Sequence, residues 1–196
     1  MSIKHSEKIE LGSSMPPFSL PASDGNNYAG DDFSNKDILV ITFTCNHCPY
    51  AQHAKPKLEE VYKKYKDQSV QFIAINPNDE QAYPEDSFAK MKTAEHNYPF
   101  PYLRDESQQV AKEFGAACTP DIYVYDKNRK LAYHGQLDDE RPGLGGVAMN
   151  VVFHKKIGRP HQHGKDLIEA IDALLKNQPP KEQQKSSMGC SIKWLN

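Results

Sequence analysis

Two cysteines, Cys45 and Cys48, are separated by only two residues in the segment Cys-Asn-His-Cys-Pro. Such a close pair is typical either of thiol–disulfide exchange or of half a metal site. In exchange, a thiolate attacks a disulfide to give a mixed disulfide, which a second thiol then resolves. We therefore predict that Cys45 attacks and Cys48 resolves, and we expect Cys45 to be the more exposed of the two.

The elements that flank the pair would favour a thiolate. Residues 38–43 form an apolar, β-branched run that predicts a buried strand, and residues 51–65 carry apolar side chains at helical spacing. The cysteines would then lie at the start of a helix, where unpaired N–H groups and the helix dipole stabilise negative charge. His47 would add a positive neighbour when protonated, so we expect the pKa of Cys45 to lie below the usual value of about 8.5.

Further elements follow in an order that predicts an α/β fold, a mixed sheet with helices on both faces. The predicted strands are residues 70–75, 122–125 and 130–133, and the predicted helices are residues 84–97, 108–114 and 166–175. A turn at residues 23–26 predicts an N-terminal β-hairpin, and Pro56 predicts a kink in the first helix. We interpret residues 137–160 as a long loop, in which the acidic residues 138–140 form a solvated turn.

Charge and hydropathy narrow the classes of function. The chain has 24 Lys and Arg against 26 Asp and Glu, so nothing in its charge balance favours nucleic acid or an anionic membrane. The N-terminal residues lack the apolar stretch of a signal peptide, and no segment approaches the ~20 apolar residues of a membrane helix. We therefore expect a cytoplasmic protein with no nucleic-acid or membrane partner.

Several segments together resemble a known family. They are Gly12 to Leu20 with Asp24-Gly25 shortly after, Cys45-Asn46-His47-Cys48-Pro49-Tyr50, and Gly189 to Trp194. This pattern resembles the peroxiredoxin, or AhpC/TSA, branch of the thioredoxin superfamily, and in particular a peroxiredoxin-like subgroup with this cysteine motif. The resemblance implies a thioredoxin fold with an N-terminal β-hairpin extension and a C-terminal tail. It also implies that Thr119 and a cis Pro120 pack against the cysteine pair.

The resemblance suggests boundaries along the chain. We expect a flexible N-terminus over residues 1–10, a thioredoxin-like domain over residues 11–176 and a polar C-terminal tail over residues 177–196.

The sequence departs from true peroxiredoxins at two points. Their pattern is Pro-x-x-x-Thr-x-x-Cys, and here Thr42 precedes Cys45 by three residues but Ile38 occupies the proline position. They also place an arginine about where Pro120 falls. Both departures favour a thiol–disulfide oxidoreductase over a thiol peroxidase. Its expected partners are a disulfide-containing protein or small thiol and a thioredoxin- or glutathione-type reductant, with no cofactor.

The roles of Cys118 and Cys190 stay open from sequence alone. Cys118 is either a free buried thiol or an additional redox residue. Cys190 is either an exposed thiol or a resolving partner that folds back onto the site. In the second case we expect a bridge from Cys190 to Cys45 or Cys118.

A metal-handling module is the rival interpretation of the cysteine pair. His154, His161 and His163 could add nitrogen ligands, and copper-delivery relatives of the fold use two cysteines and a distant histidine. A second close pair of cysteines is absent from the sequence, however, and the histidines lie more than a hundred residues away. We therefore assign no metal ligands and rank this interpretation below the two redox activities.

Overall fold

The computed structural model describes residues 2–142 and 163–195. In chain order its strands are β1 (Ile3–His5), β2 (Ser19–Pro21), β3 (Asn27–Ala29), β4 (Ile38–Phe43), β5 (Val70–Asn76), β6 (Tyr102–Arg104), β7 (Cys118–Thr119), β8 (Asp121–Tyr125), β9 (Leu131–Gly135) and β10 (Met188–Ser191). The α-helices are α1 (Pro49–Tyr65), α2 (Phe88–Met91), α3 (Gln109–Glu113) and α4 (Lys165–Leu175). Short 3₁₀ turns occur at Gly30–Phe33 and Pro84–Asp86.

The main sheet has five strands in the order β6-β5-β4-β8-β9. Strands β4, β5 and β6 are parallel, whereas β8 is antiparallel to β4 and β9 is antiparallel to β8. All six residues of β4 are buried because apolar clusters cover both faces of the sheet. Helices α1 and α4 contribute to one cluster, while α3 and the β2–β3 hairpin contribute to the other. The predicted mixed sheet with helices on both faces is confirmed.

Helix α1 begins immediately after the cysteine motif. Cys48 is the N-cap and Pro49 is the first helical residue, a position where the missing N–H of proline costs no hydrogen bond. The helix continues through Pro56 to Tyr65. Its buried face includes Leu58, which packs in the cluster shared with α4. The motif is therefore fixed between the end of β4 and the start of a well-packed helix.

The helix predicted over residues 84–97 is wrong. The structure has the 3₁₀ turn Pro84–Asp86, an extended Ser87 with ψ of 150°, and only one turn of helix in α2. The physical reason is that Asp86 turns inward and accepts a hydrogen bond from the backbone N–H of Asn46, at 2.6 Å. This long-range contact replaces the local pattern that the proline and the acidic residues suggested.

The two ends of the described chain form a second sheet beside the motif. Its order is β1-β10-β7, with both pairs antiparallel. Strand β1 lies in the segment expected to be a flexible N-terminus, residues 1–10, and strand β10 lies in the expected C-terminal tail, residues 177–196. The sequence signal was weak because each strand is short and contributes few apolar side chains.

The β2–β3 hairpin and α4 agree with the sequence-based predictions. Most of the loop predicted over residues 137–160 lies outside the described residues. Among the helices that the structure describes, none is long and apolar enough to cross a lipid bilayer.

Candidate functional site

Hydrogen bonds of Asn46 connect the segment between β4 and α1 to neighbouring elements. Tyr102 donates its hydroxyl hydrogen to the Asn46 side-chain oxygen at 2.8 Å, and the Asn46 amide donates to the Glu85 carbonyl at 2.8 Å. The Gln52 side chain donates to the Asn46 carbonyl from the first turns of α1. Because Asn46 is only 4% exposed, these bonds fix the backbone between the two cysteines.

Thr119 and Pro120 lie against the cysteine pair, and their peptide bond is cis, as the resemblance implied. The Cys45 Sγ atom is 3.2 Å from Thr119 Oγ1. The Cys48 Sγ atom is 3.4 Å from the Thr119 carbonyl oxygen, a contact that is a hydrogen bond only when Cys48 is a thiol. Thr119 thus touches both sulfurs of the motif.

Cys48 is bonded to Cys190, and Cys45 is a free thiol. The Cα atoms of the bonded pair are 6.3 Å apart. Cys190 does fold back onto the site, but its partner is neither Cys45 nor Cys118, the two partners expected from sequence. The reason is the pairing of β10 with β7, which sets Cys190 opposite Thr119 and so beside Cys48.

Burial decides the protonation state of Cys45. The residue is 4% exposed, slightly more than Cys48 at 0%, so the predicted order holds but both are buried. Loss of solvation raises the pKa of Cys45 to about 12, and the negative charge of Asp86 adds to this. Hydrogen bonds from Thr119 and the Cys48 N–H lower the pKa of Cys45, as does the charge of Lys193, but they offset only part of this rise. The expected lowered pKa is therefore wrong for this state of the protein.

A cleft of about 290 Å³ reaches Cys45 from the surface. Besides Cys45, its lining includes Asn46, Gln52, Lys55 and Glu95, and the side chains of Gln52 and Glu95 are exposed at its rim. A reacting group that enters this cleft could approach the sulfur without crossing the core.

His47 is oriented by the buried carboxylate of Asp86. Since a carboxylate only accepts, His47 Nδ1 donates to Asp86 Oδ2, at 2.5 Å, and the imidazole stacks on Tyr83. Burial alone would raise the pKa of Asp86, but hydrogen bonds from His47, Asn78 and the Asn46 N–H outweigh it and lower the pKa. The role of Asp86 could not be predicted from the sequence, because a contact across 39 residues leaves no local pattern.

The family of this chain follows from comparison with known proteins. The model of the AhpC/TSA family matches residues 11–134. The chain belongs to the AhpC/TSA family. Among solved structures, an uncharacterized conserved protein from Geobacillus kaustophilus is 43% identical, covers 100% of this chain and 97% of its own, and superposes with a TM-score of 0.88.

Other relatives of this AhpC/TSA chain are redox proteins. Peroxiredoxin Q of Sedum lineare is 27% identical and matches 68% of this chain and 74% of its own length. Thiol-disulfide oxidoreductase ResA of Bacillus thuringiensis is 27% identical and matches 64% of this chain and 69% of its own. The thioredoxin domain of a Bacteroides vulgatus thiol-disulfide oxidoreductase is 17% identical and shares the fold. The match covers 65% of this chain and 89% of that domain, with a TM-score of 0.52. The AhpC/TSA chain is thus a thioredoxin-like redox protein.

Cys118 of the AhpC/TSA chain is a free and fully buried thiol. Its Sγ lies 3.6 Å from the Pro120 carbonyl, and burial, aided by the charge of Asp121, raises its pKa. This arrangement agrees with the interpretation of Cys118 as a packing residue, because a buried thiol with a raised pKa is a poor nucleophile.

The histidines proposed as metal ligands do not gather at the cysteine pair in the described part of the chain. His163 lies with Asp138 and Glu140, 3.5 Å from Glu140 Oε2, while His154 and His161 lie outside the described residues. Asp138 and Glu140 are buried rather than solvated, because the ammonium of Lys57 binds both carboxylates. A cation already occupies the centre of this cluster, so it does not favour a metal ion.

A second group of ligand-type atoms belongs to the redox site itself. Single atoms of Cys45, His47 and Asp86 lie within 4.8 Å of one another. His47 and Asp86 are hydrogen-bonded to each other and Cys45 contacts Thr119, so each group has a partner without a metal.

Proposed function

We propose that the protein is a thiol–disulfide oxidoreductase that uses Cys45 and Cys48 to exchange a disulfide with its substrate. The observation that carries the proposal is the grouping of three sulfurs, those of Cys45, Cys48 and Cys190, in one buried cluster at the start of a helix. One sulfur is a thiol and two form a disulfide, so the site holds both reactants of a thiol–disulfide exchange.

The proposed reaction starts from the reduced pair. The Cys45 thiolate attacks a substrate disulfide, so that one substrate sulfur leaves as a thiolate and takes up a proton. The Cys48 thiolate then attacks the Cys45 sulfur, releases the second substrate sulfur and leaves a Cys45–Cys48 disulfide. Thr119 Oγ1 and the Cys48 N–H stand where they would stabilise negative charge on Cys45. The His47–Asp86 pair supports the loop between the two cysteines through the Asn46 and His47 N–H groups.

The proposed partners are a disulfide-containing protein or a small thiol in its disulfide form as the substrate, and a thioredoxin- or glutathione-type reductant that restores the pair. We propose that this activity is cytoplasmic. The balanced charge of the sequence supports the further proposal that it has no nucleic-acid or membrane partner.

Replacing Cys45 with Ser is the direct test. The variant should lose dithiothreitol-dependent insulin reduction, because a hydroxyl cannot form the mixed disulfide. A Cys118→Ser variant serves as the matched control and should keep the activity, since the Cys118 thiol lies outside the sulfur cluster. Full insulin reduction by Cys45→Ser would exclude Cys45 as the attacking residue.

Peroxide reduction is the second candidate function, and the similarity to peroxiredoxin Q favours it. Peroxide reduction would need a stable Cys45 thiolate. Two charged neighbours act most on the pKa of Cys45: Asp86 raises it and Lys193 lowers it. Neither of them is the arginine that peroxiredoxins place at this site. Peroxide consumption coupled to thioredoxin, measured beside insulin reduction with the same preparation, decides between the two activities.

A further inference from the structure

We propose that Cys190 is a third redox residue, which takes the disulfide from the Cys45–Cys48 pair and so returns Cys45 to the thiol form. The inference rests on the proposed function and adds a second intramolecular step to it. It assigns a role in the reaction to the C-terminal strap, by which we mean residues 187–195.

The sulfur geometry supports this transfer. Cys48 is the common member of both disulfides, since it resolves Cys45 in the first and is bonded to Cys190 in the second. Cys45 hydrogen-bonds to the backbone N–H of Cys48, and Cys190 pairs in register with Thr119, the residue that touches both motif sulfurs. The three cysteines and Ala51 form one buried cluster.

The strap is docked by specific contacts rather than by the disulfide alone. Strand β10 lies between β1 and β7, and the backbone at Gly189 comes so close to Thr119 that a Cβ there would overlap the Thr119 carbonyl. Farther along, the Lys193 N–H donates to Asn78 Oδ1 at 2.9 Å, and the Lys193 carbonyl accepts from Gln108 Nε2 at 2.7 Å. These contacts return Cys190 to the same place beside Cys48 whenever the strap docks.

The step is balanced without an external oxidant. The Cys190 thiolate attacks Cys48 Sγ, the Cys48–Cys190 bond forms and the Cys45–Cys48 bond breaks. Cys45 leaves as a thiolate and takes up the proton that Cys190 lost. The protein keeps one disulfide throughout, so no net oxidation or reduction occurs.

Docking of the strap places Cys190 beside Cys48 and so favours the transfer. In the docked form Cys45 is 4% exposed, and burial and Asp86 raise its pKa more than Thr119, the Cys48 N–H and Lys193 of the strap lower it. A protonated thiol is a poor nucleophile, so the return attack on Cys48 is slow. The form that the structure describes is then the oxidised product of the cycle, with its oxidising equivalent in the Cys48–Cys190 bond and Cys45 returned to the thiol.

A single-turnover experiment on the full chain tests the inference. The fully reduced protein is mixed anaerobically with one equivalent of oxidised glutathione, quenched with acid at intervals, alkylated and mapped by mass spectrometry. We expect a Cys45–Cys48 disulfide that appears first and decays as a Cys48–Cys190 disulfide forms, with Cys45 then recovered as the alkylated thiol. In Cys190→Ser the reaction should stop at the Cys45–Cys48 disulfide, and in Cys118→Ser the wild-type sequence of bonds should persist.

The remaining outcomes separate this inference from the proposed function. A Cys45–Cys48 disulfide that never passes to Cys190 would overturn the role of Cys190 and leave the oxidoreductase assignment intact. A protein in which Cys45 forms no bond at any time would overturn both. A Cys48–Cys190 disulfide that resists the dithiothreitol concentration at which the protein reduces insulin would show a static cross-link and overturn the role of Cys190 alone.

Discussion

Cys45 combines two opposing influences on the charge of one sulfur atom. The helix start and the Cys48 N–H favour the thiolate, while burial and Asp86 raise its pKa to about 12. The first influence is local and was predicted from the sequence. The second depends on residues distant in sequence, among them Asp86 and Cys190, which packs in the same buried cluster, and no local pattern could reveal it. The reactivity of Cys45 therefore depends on how the fold packs around it.

Replacing Asp86 with Asn should lower stability and flatten its dependence on pH. The pKa of Asp86 lies below its ordinary value of 3.8, so its charged form stabilises the fold above that pH. This contribution is lost as pH falls through the lowered pKa. Asp86→Asn should therefore unfold with a free energy about 1–3 kcal/mol smaller at pH 7 and lose less stability on acidification. Urea unfolding at pH 7 and pH 3 measures both effects.

The matched control for Asp86 is the exposed carboxylate of Asp67. Its side chain is 83% exposed, so Asp67→Asn should leave the urea midpoint and its pH dependence close to those of the wild type. If Asp86→Asn lost as much stability as the wild type between pH 7 and pH 3, the buried carboxylate would not be the group that titrates.

At the scale of the elements, the strands and helices with strong periodicity could be predicted from sequence. Strand β4 and helix α1 carry continuous apolar patterns and are found where expected. The prediction of a long helix after Pro84 was wrong because the contact of Asp86 with Asn46 outweighs helix propensity. Strand β10 could not be predicted, because it is short, contains a glycine, and pairs only with β1 and β7, which are both distant in sequence.

Replacing Gly189 with Ala should prevent β10 from docking. The new Cβ would overlap the Thr119 carbonyl and lie 3.0 Å from the Pro120 nitrogen, and both are backbone atoms that cannot swing aside. We expect Gly189→Ala to form little Cys48–Cys190 disulfide and, like Cys190→Ser, to hold a Cys45–Cys48 disulfide when oxidised. In the non-reduced protein iodoacetamide should therefore label Cys190 and leave Cys45 unlabelled, the reverse of the wild type, because only a free thiol can be alkylated.

Ser191→Ala is the control on the same strand, because Ser191 is half-buried and its side chain contacts Ser2 at the edge of the sheet. This variant should keep the Cys48–Cys190 disulfide and be labelled at Cys45, as the wild type is. The same labelling pattern in Gly189→Ala and Ser191→Ala would contradict the view that docking of β10 determines which cysteines are bonded.

For the whole molecule, the thioredoxin-like core is predictable and its closure by the two chain ends is not. The order of strands and helices and the segment resemblances were sufficient to predict the fold, and the family match to residues 11–134 agrees. The closure lies largely outside that range, in strands β1 and β10. Short strands are stabilised mainly by the strands they pair with, and pairing between segments distant in sequence leaves no local pattern in a single sequence.

The disulfide should make the stability of the whole domain depend on its redox state. A bond that closes a loop of 142 residues restricts the unfolded chain and can contribute up to about 5 kcal/mol. Dithiothreitol should therefore lower the urea midpoint of the wild type. The same treatment should lower the midpoint of Cys190→Ser much less, because the Cys45–Cys48 bond left in that variant closes a loop of only a few residues. A wild type indifferent to dithiothreitol would show that the closed loop adds no stability.

The antiparallel pairing of β1 with β10 also determines how the molecule responds to mechanical force. Ile3 lies opposite Cys190, so tension applied at the two termini would peel these strands apart one hydrogen bond at a time. When the bond to Cys48 is intact, the 142 residues that it encloses cannot extend. Its reduction would release roughly 500 Å of additional chain length, at about 3.5 Å per residue. The extension of a single pulled molecule would therefore report directly on the oxidation state of its sulfurs.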